Sequence, residues 1–77
     1  MNKLIRTYKL AKEKYIYLDC DGYSASLEDL SLPDLYKSAY SLKQAINYMK
    51  RDIAVRLWCS PRDIDIDPSD IVIIERY

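Results

Sequence analysis

The sequence contains no histidine, no phenylalanine, one glycine, one tryptophan and two cysteines. The absence of histidine removes the commonest general base near neutral pH and the commonest zinc ligand together. Neither Cys20 nor Cys59 has a neighbouring base to activate it, so nucleophilic catalysis is not expected. The chain is read as non-enzymatic, with no cofactor and no metal. Two cysteines without a C-x-x-C spacing are too few for a disulfide framework and read as reduced thiols, a single disulfide being the alternative. No segment approaches the roughly 20 apolar residues of a membrane span, so no membrane partner is expected. The opening M-N-K-L-I-R-T-Y-K-L has no apolar run of signal-peptide length, and the expected location is the cytoplasm.

With no phenylalanine but eight tyrosines, the aromatic part of the core is expected to come from tyrosine. Each hydroxyl must reach water or an acceptor, which places several tyrosines at sheet margins. Seventy-seven residues make one small domain, 1–77, burying only about 60 % of its unfolded surface; a deep enzymatic cleft is not expected. The abundance of Ile, Lys, Tyr and Asp is what AT-rich codons produce, and points to a low-GC bacterial host or one of its phages.

One helix is plain. From Ser41 to Trp58, residues Leu42, Ala45, Ile46, Met49, Ile53 and Leu57 recur at steps of three and four, and Ser41 is a good N-cap. Lys43, Gln44, Asn47, Lys50 and Arg51 fill the other side. One apolar stripe cannot bury itself, so the flanking segments must supply a complementary surface, and both read as strand.

Leu4–Leu10 and Tyr15–Asp19 read as two strands joined by A-K-E-K as a hairpin, the second strand the more central. Asp19 to Gly22 turns the chain, glycine taking positive φ without steric cost. Ser26 is a candidate cap for a turn over Leu27–Leu30, and Asp34–Tyr40 reads as a third strand. Pro61 stops the long helix. Arg62–Asp67 then alternates as a strand with Ile64 and Ile66 inward, Asp67–Asp70 turns, and Ile71–Tyr77 is a strand buried on both faces or an edge covered by another copy. The expected fold is α+β: a small antiparallel sheet, ββ(β)αβ(β), with one long helix packed on one face.

Twelve basic and twelve acidic residues cancel, but they are sorted. Met1–Lys14 carries five bases against one acid, and Asp19–Asp34 five acids and no base. Lys37–Arg62 carries six bases against one acid, and Asp63–Tyr77 five acids against one base. Either the blocks face one another inside the fold, or an acidic face meets a partner.

Four local patterns carry possible chemistry. Tyr15 to Gly22, an apolar strand ending in D-x-D-G, resembles the first motif of haloacid dehalogenase-type phosphatases, but that chemistry needs a parallel sheet and further residues for which the chain has no room. Asp19, Asp21, Gly22 and Glu28 match part of an EF-hand-like spacing, but Tyr17 stands where the first ligand belongs. Asp63, Asp65 and Asp67, with Asp70 across a turn, form an acidic row that imitates phosphates, binds a cation or is the solvated face of an edge strand. Arg6, Lys9, Lys12, Tyr15 and Tyr17 interleave basic and aromatic groups in a way that suits single-stranded nucleic acid, against which the zero net charge argues.

The layout of a hairpin, then A-x-S-L-x-x-A-I at Ala39–Ile46, one helix and a closing acidic strand, resembles small phage and mobile-element proteins of the anti-CRISPR type. The resemblance implies an inhibitor in the bacterial host cell whose acidic surface occludes a CRISPR effector or other nucleic-acid-binding complex. On that reading the protein partner meets Asp63, Asp65, Asp67, Asp70, Asp19 and Asp21. The alternative is a nucleic-acid binder using Arg6, Lys9, Lys12, Tyr15 and Tyr17. A homodimer through the C-terminal strand is a further expectation.

Overall fold

The computed structural model describes residues 4–19 and 22–74. It is an α+β fold of six strands and one long helix: β1 (Arg6–Leu10), β2 (Tyr15–Leu18), β3 (Tyr23–Ser26), β4 (Leu35–Ala39), α1 (Leu42–Leu57), β5 (Ile64–Asp65) and β6 (Ile71–Ile74). The strands divide into two antiparallel sheets of three, ordered β4-β1-β6 and β3-β2-β5. Each of the first two strands is the middle of its own sheet.

The expected β1–β2 hairpin is therefore corrected. The chain turns after β1, with the Lys14 amide donating to the Ala11 carbonyl at 3.0 Å, but the two strands do not pair. The intervening loop is instead held by the segment that follows β3. Its Lys12 amide donates to the Asp34 carboxylate at 2.6 Å, and the Lys12 and Lys14 carbonyls accept from Glu28 and Leu27 at 2.8 and 3.3 Å. With those backbone groups satisfied elsewhere, nothing holds the strands together as a hairpin.

That segment contains the expected capped turn. The Asp29 amide donates to the Ser26 hydroxyl at 3.0 Å, and the Ser26 amide reaches back to the Asp29 carboxylate at 3.4 Å, a reciprocal cap. Strand β4 falls where expected. Strand β3 is an addition to the expected elements: Y-S-A-S has little apolar character, and Ala25 is its one apolar residue buried in the core. Gly22 has φ 70° in the turn that joins β2 to β3.

Helix α1 is capped as read, the Ser41 hydroxyl accepting from the Gln44 amide at 3.2 Å. The Gln44 side chain accepts from the Tyr40 amide at 2.8 Å, so two donors at the helix entrance are satisfied. The helix buries Ala45, Met49, Ile53 and Ala54 against the inner face of β4 and against β5. These join Tyr8, Leu10, Ile16, Leu18, Leu27, Leu35 and Ile64 in one continuous core. The core is mainly aliphatic, with Tyr8 as its one aromatic residue among those described. Of the seven described tyrosines only Tyr8 is buried, because an aliphatic side chain carries no hydroxyl that must be kept hydrogen-bonded.

Two further expectations are revised after the helix. Pro61 starts a short 3-10 turn, Pro61–Asp63, and only Ile64 and Asp65 join the sheet. The alternation nevertheless holds, with Ile64 and Ile66 buried. Strand β6 is not buried on both faces: Val72 and Ile73, which point to opposite sides, are 52 % and 46 % exposed. Among the described residues it pairs only with β1. Cys20 lies outside the described residues, and the expectation for Cys20 and Cys59 falls there with it. No described helix is long and apolar enough to cross a membrane.

Candidate functional site

The pairing of β2 with β5 decides which of the candidate residues meet. Tyr17 lies opposite Asp65 and Leu18 opposite Ile64, and beyond that ladder the Asp19 amide donates to the Asp63 carbonyl at 2.7 Å. Leu18 and Ile64 point into the core, so their neighbours point away from it, because side chains alternate along a strand. Tyr15 and Tyr17 on β2, Asp65 on β5 and Ser24 opposite Tyr17 share one outer face, and the exposed Asp19 follows directly at the end of β2. Asp63 and Asp67 border it from the turns on either side of β5. Two acidic stretches far apart in sequence are thus brought together, and the tyrosines assigned to a basic surface belong to the acidic one.

The row is less regular than the alternation predicts. Asp63 is half-buried in the 3-10 turn, while Asp65 and Asp67 are exposed. The Asp67 carboxylate caps the next turn, accepting from the Ser69 amide at 3.0 Å and the Ser69 hydroxyl at 2.8 Å, and these bonds hold its pKa below the ordinary carboxylate value. Asp70 is half-buried, with the Lys14 ammonium 4.0 Å away, and Asp65 lies 4.0 Å from Lys50. Contacts that long, each with one exposed partner, are screened by water and leave both carboxylates open to a partner. Asp21 lies outside the described residues.

The basic set is dispersed. Lys9 is 3.8 Å from the Asp34 carboxylate and 5.8 Å from the centroid of the Tyr36 ring. Lys12 is 3.8 Å from Glu28. Arg6 stands apart, lining an open cavity with Leu4, Tyr8, Tyr40, Ser41 and Gln44. Tyr15 and Tyr17 lie on the other sheet. No shared face gathers these five residues.

Neither of the two weaker motif readings fits. Asp19 follows a strand whose neighbours are both antiparallel, not a strand of the parallel sheet that a dehalogenase-type site requires. The segments flanking Asp19 and Gly22 are strands, not the paired helices of an EF-hand.

Of the six ion pairs among the described residues, four join blocks of opposite sign: Lys9–Asp34, Lys12–Glu28, Lys14–Asp70 and Lys50–Asp65. The other two lie within the third block, where Asp52 meets Lys37 and Arg56. Of the ten described basic residues, Arg6, Lys43, Arg51 and Arg62 are left without an ion pair among the described residues.

Sequence reasoning missed a second surface. Arg51 and Arg62 line an open cavity of about 360 Å³ with Asn47, Lys50, Ser60 and Pro61. A neighbouring apolar cavity shares Asn47 and Lys50 and adds Leu42, Ile46, Ile66 and Pro68. Val55 and Trp58 are 79 % and 96 % exposed. The available signal was that both fall off the apolar stripe of α1. Scans against protein-family models, curated proteins and solved structures each returned no match for this chain.

Proposed function

We propose that the protein is a non-enzymatic binding protein that covers a basic, nucleic-acid-handling surface of a protein partner, in the manner of an anti-CRISPR-type inhibitor of phage or mobile-element origin. The observation that carries this reading is the β2·β5 pairing, which sets Asp19 beside Asp63 and Tyr17 opposite Asp65 on one outer face. Tyrosine supplies rigid amphipathic contact area, and its ring face attracts arginine and lysine. The carboxylates beside it steer a cationic surface into register. Such a face needs no catalytic group, and its carboxylates repel the phosphates that the partner would otherwise hold.

The test is capture from a nuclease-treated bacterial lysate, followed by competition. The wild type is expected to retain a nucleic-acid-binding complex and to displace its nucleic acid, while Asp19→Lys/Asp65→Lys retains nothing. Asp67 is left intact because its carboxylate holds the following turn. If the double charge reversal captures the same partner as well as the wild type does, the acidic face is a solvated sheet surface and the proposal is wrong.

A further inference from the structure

The second surface carries an inference independent of the acidic face. We propose that the cavity between α1 and residues 60–62 binds a phosphate of single-stranded nucleic acid, with Trp58 stacking on an adjacent base.

Three observations converge. First, the cavity is cationic and polar: Lys50, Arg51 and Arg62 line it with Asn47 and Ser60. Arg51 and Arg62 have no ion-pair partner among the described residues, and Lys50 is held only at 4.0 Å by Asp65. Two guanidinium groups beside a hydroxyl and an amide match the donors a phosphodiester accepts from. At about 360 Å³ the open depression has room for a sugar-phosphate unit.

Second, Trp58 is 96 % exposed, so the largest side chain in the protein contributes almost nothing to the core. It follows the last residue of α1 and stands two residues before Ser60 of the cavity wall. An unpacked indole two residues along the chain from a cationic cavity wall can hold a base while the backbone is neutralised.

Third, Trp58 is the helix C-cap and sits at φ 58°, ψ 40°, in the left-handed region where glycine is favoured. A bulky residue there costs stability that a glycine would not. Neither packing nor backbone conformation accounts for tryptophan at this place; a ligand that needs the ring does. The base must be unstacked to reach the indole, which specifies a single strand over a duplex.

Trp58 is the only tryptophan, so its fluorescence reports stacking directly. The experiment titrates a fluorescein-labelled 12-mer of deoxythymidine by anisotropy, and an unlabelled 12-mer by tryptophan fluorescence, over a series of salt concentrations. Expected are quenching of Trp58, a log K that falls linearly with log salt, and weaker binding of a 12-base-pair duplex. Arg51→Glu/Arg62→Glu should flatten the salt slope by about 0.7, the contribution of the one single-strand phosphate that is no longer neutralised. Trp58→Ala should weaken binding by about 5- to 100-fold with the slope unchanged, and Trp58→Tyr should restore most of it. Circular dichroism of each variant confirms that it is folded. Binding that survives the double arginine reversal, equal affinity for the duplex, or equal affinity for an oligo-glutamate peptide would overturn the proposal. No binding at low salt would overturn it too.

Discussion

The Lys37 ammonium lies 3.2 Å from the Asp52 carboxylate, tying the inner face of β4 to the helix above it, and Arg56 closes on the same carboxylate from one turn along at 3.1 Å. Partial burial raises the pKa of this carboxyl, but the hydrogen bonds and charges of Arg56 and Lys37 outweigh it and bring the pKa below the ordinary value of 3.8. The unfolded chain therefore binds this proton more tightly than the folded one. The stabilisation is complete above the ordinary carboxylate value and is lost as pH falls through the lower, folded value. Asp52→Asn should cost roughly 0.5–1 kcal/mol at neutral pH, allowing for solvent screening. In urea titrations the gap from the wild type should close as both are taken below the carboxylate range.

Trp58→Gly is expected to make the protein more stable. The left-handed cap favours glycine, and a side chain 96 % exposed gives up little packing when removed. A gain of roughly 0.5–1 kcal/mol in chemical denaturation is expected, together with loss of oligonucleotide binding. An unchanged or lowered stability would show that the indole packs in solution.

Ser41→Ala removes the acceptor for the Gln44 amide and should cost about 1 kcal/mol. Met49→Ala, at a fully buried position, should cost about 2–5 kcal/mol. In a domain this small the second loss approaches the whole stability, so Met49→Ala should be largely unfolded by circular dichroism at 37 °C while Ser41→Ala keeps its fold.

Strand β6 should mediate self-association at high concentration. Its backbone edge away from β1 has no strand partner among the described residues, and Val72 and Ile73 expose apolar surface on both sides of it, the form of edge that templates pairing. Light scattering should show a concentration-dependent dimer, and Val72→Lys should keep the protein monomeric.

The parts of the fold written in local sequence were legible. The Ser41 cap, the 3.6-residue stripe of α1, the Ser26 turn, the positive φ of Gly22 and the inward pair Ile64 and Ile66 all rest on interactions within a few residues. Strand partnership was not legible, because the residues that choose it are remote: Asp34, Glu28 and Leu27 hold the loop after β1 and separate it from β2. The candidate site was half legible for the same reason. Asp19, Asp63, Asp65 and Asp67 were identifiable as acidic stretches, but only the β2·β5 ladder shows that they adjoin and that Tyr15 and Tyr17 stand with them. Arg62 escaped notice because a cavity wall has no one-dimensional pattern, and Trp58 because falling off the apolar stripe does not by itself show that a ring is unpacked.

The separation of β1 and β2 into different sheets also sets the order in which the chain can fold. Neither strand pairs with its nearest neighbour in sequence across the loop between them, and β1 must wait for both β4 and β6. Its sheet is completed only after the helix and the turns that follow have been made, so loop-closure entropy is spent before the β1–β6 half of its ladder forms. A nascent chain released as far as α1 can close the β2–β3 turn and the helix but leaves one whole side of β1 open. Refolding should accordingly be slow for so short a chain, on the order of milliseconds to seconds, with the β2–β3 hairpin and α1 protected from hydrogen exchange before β1 is.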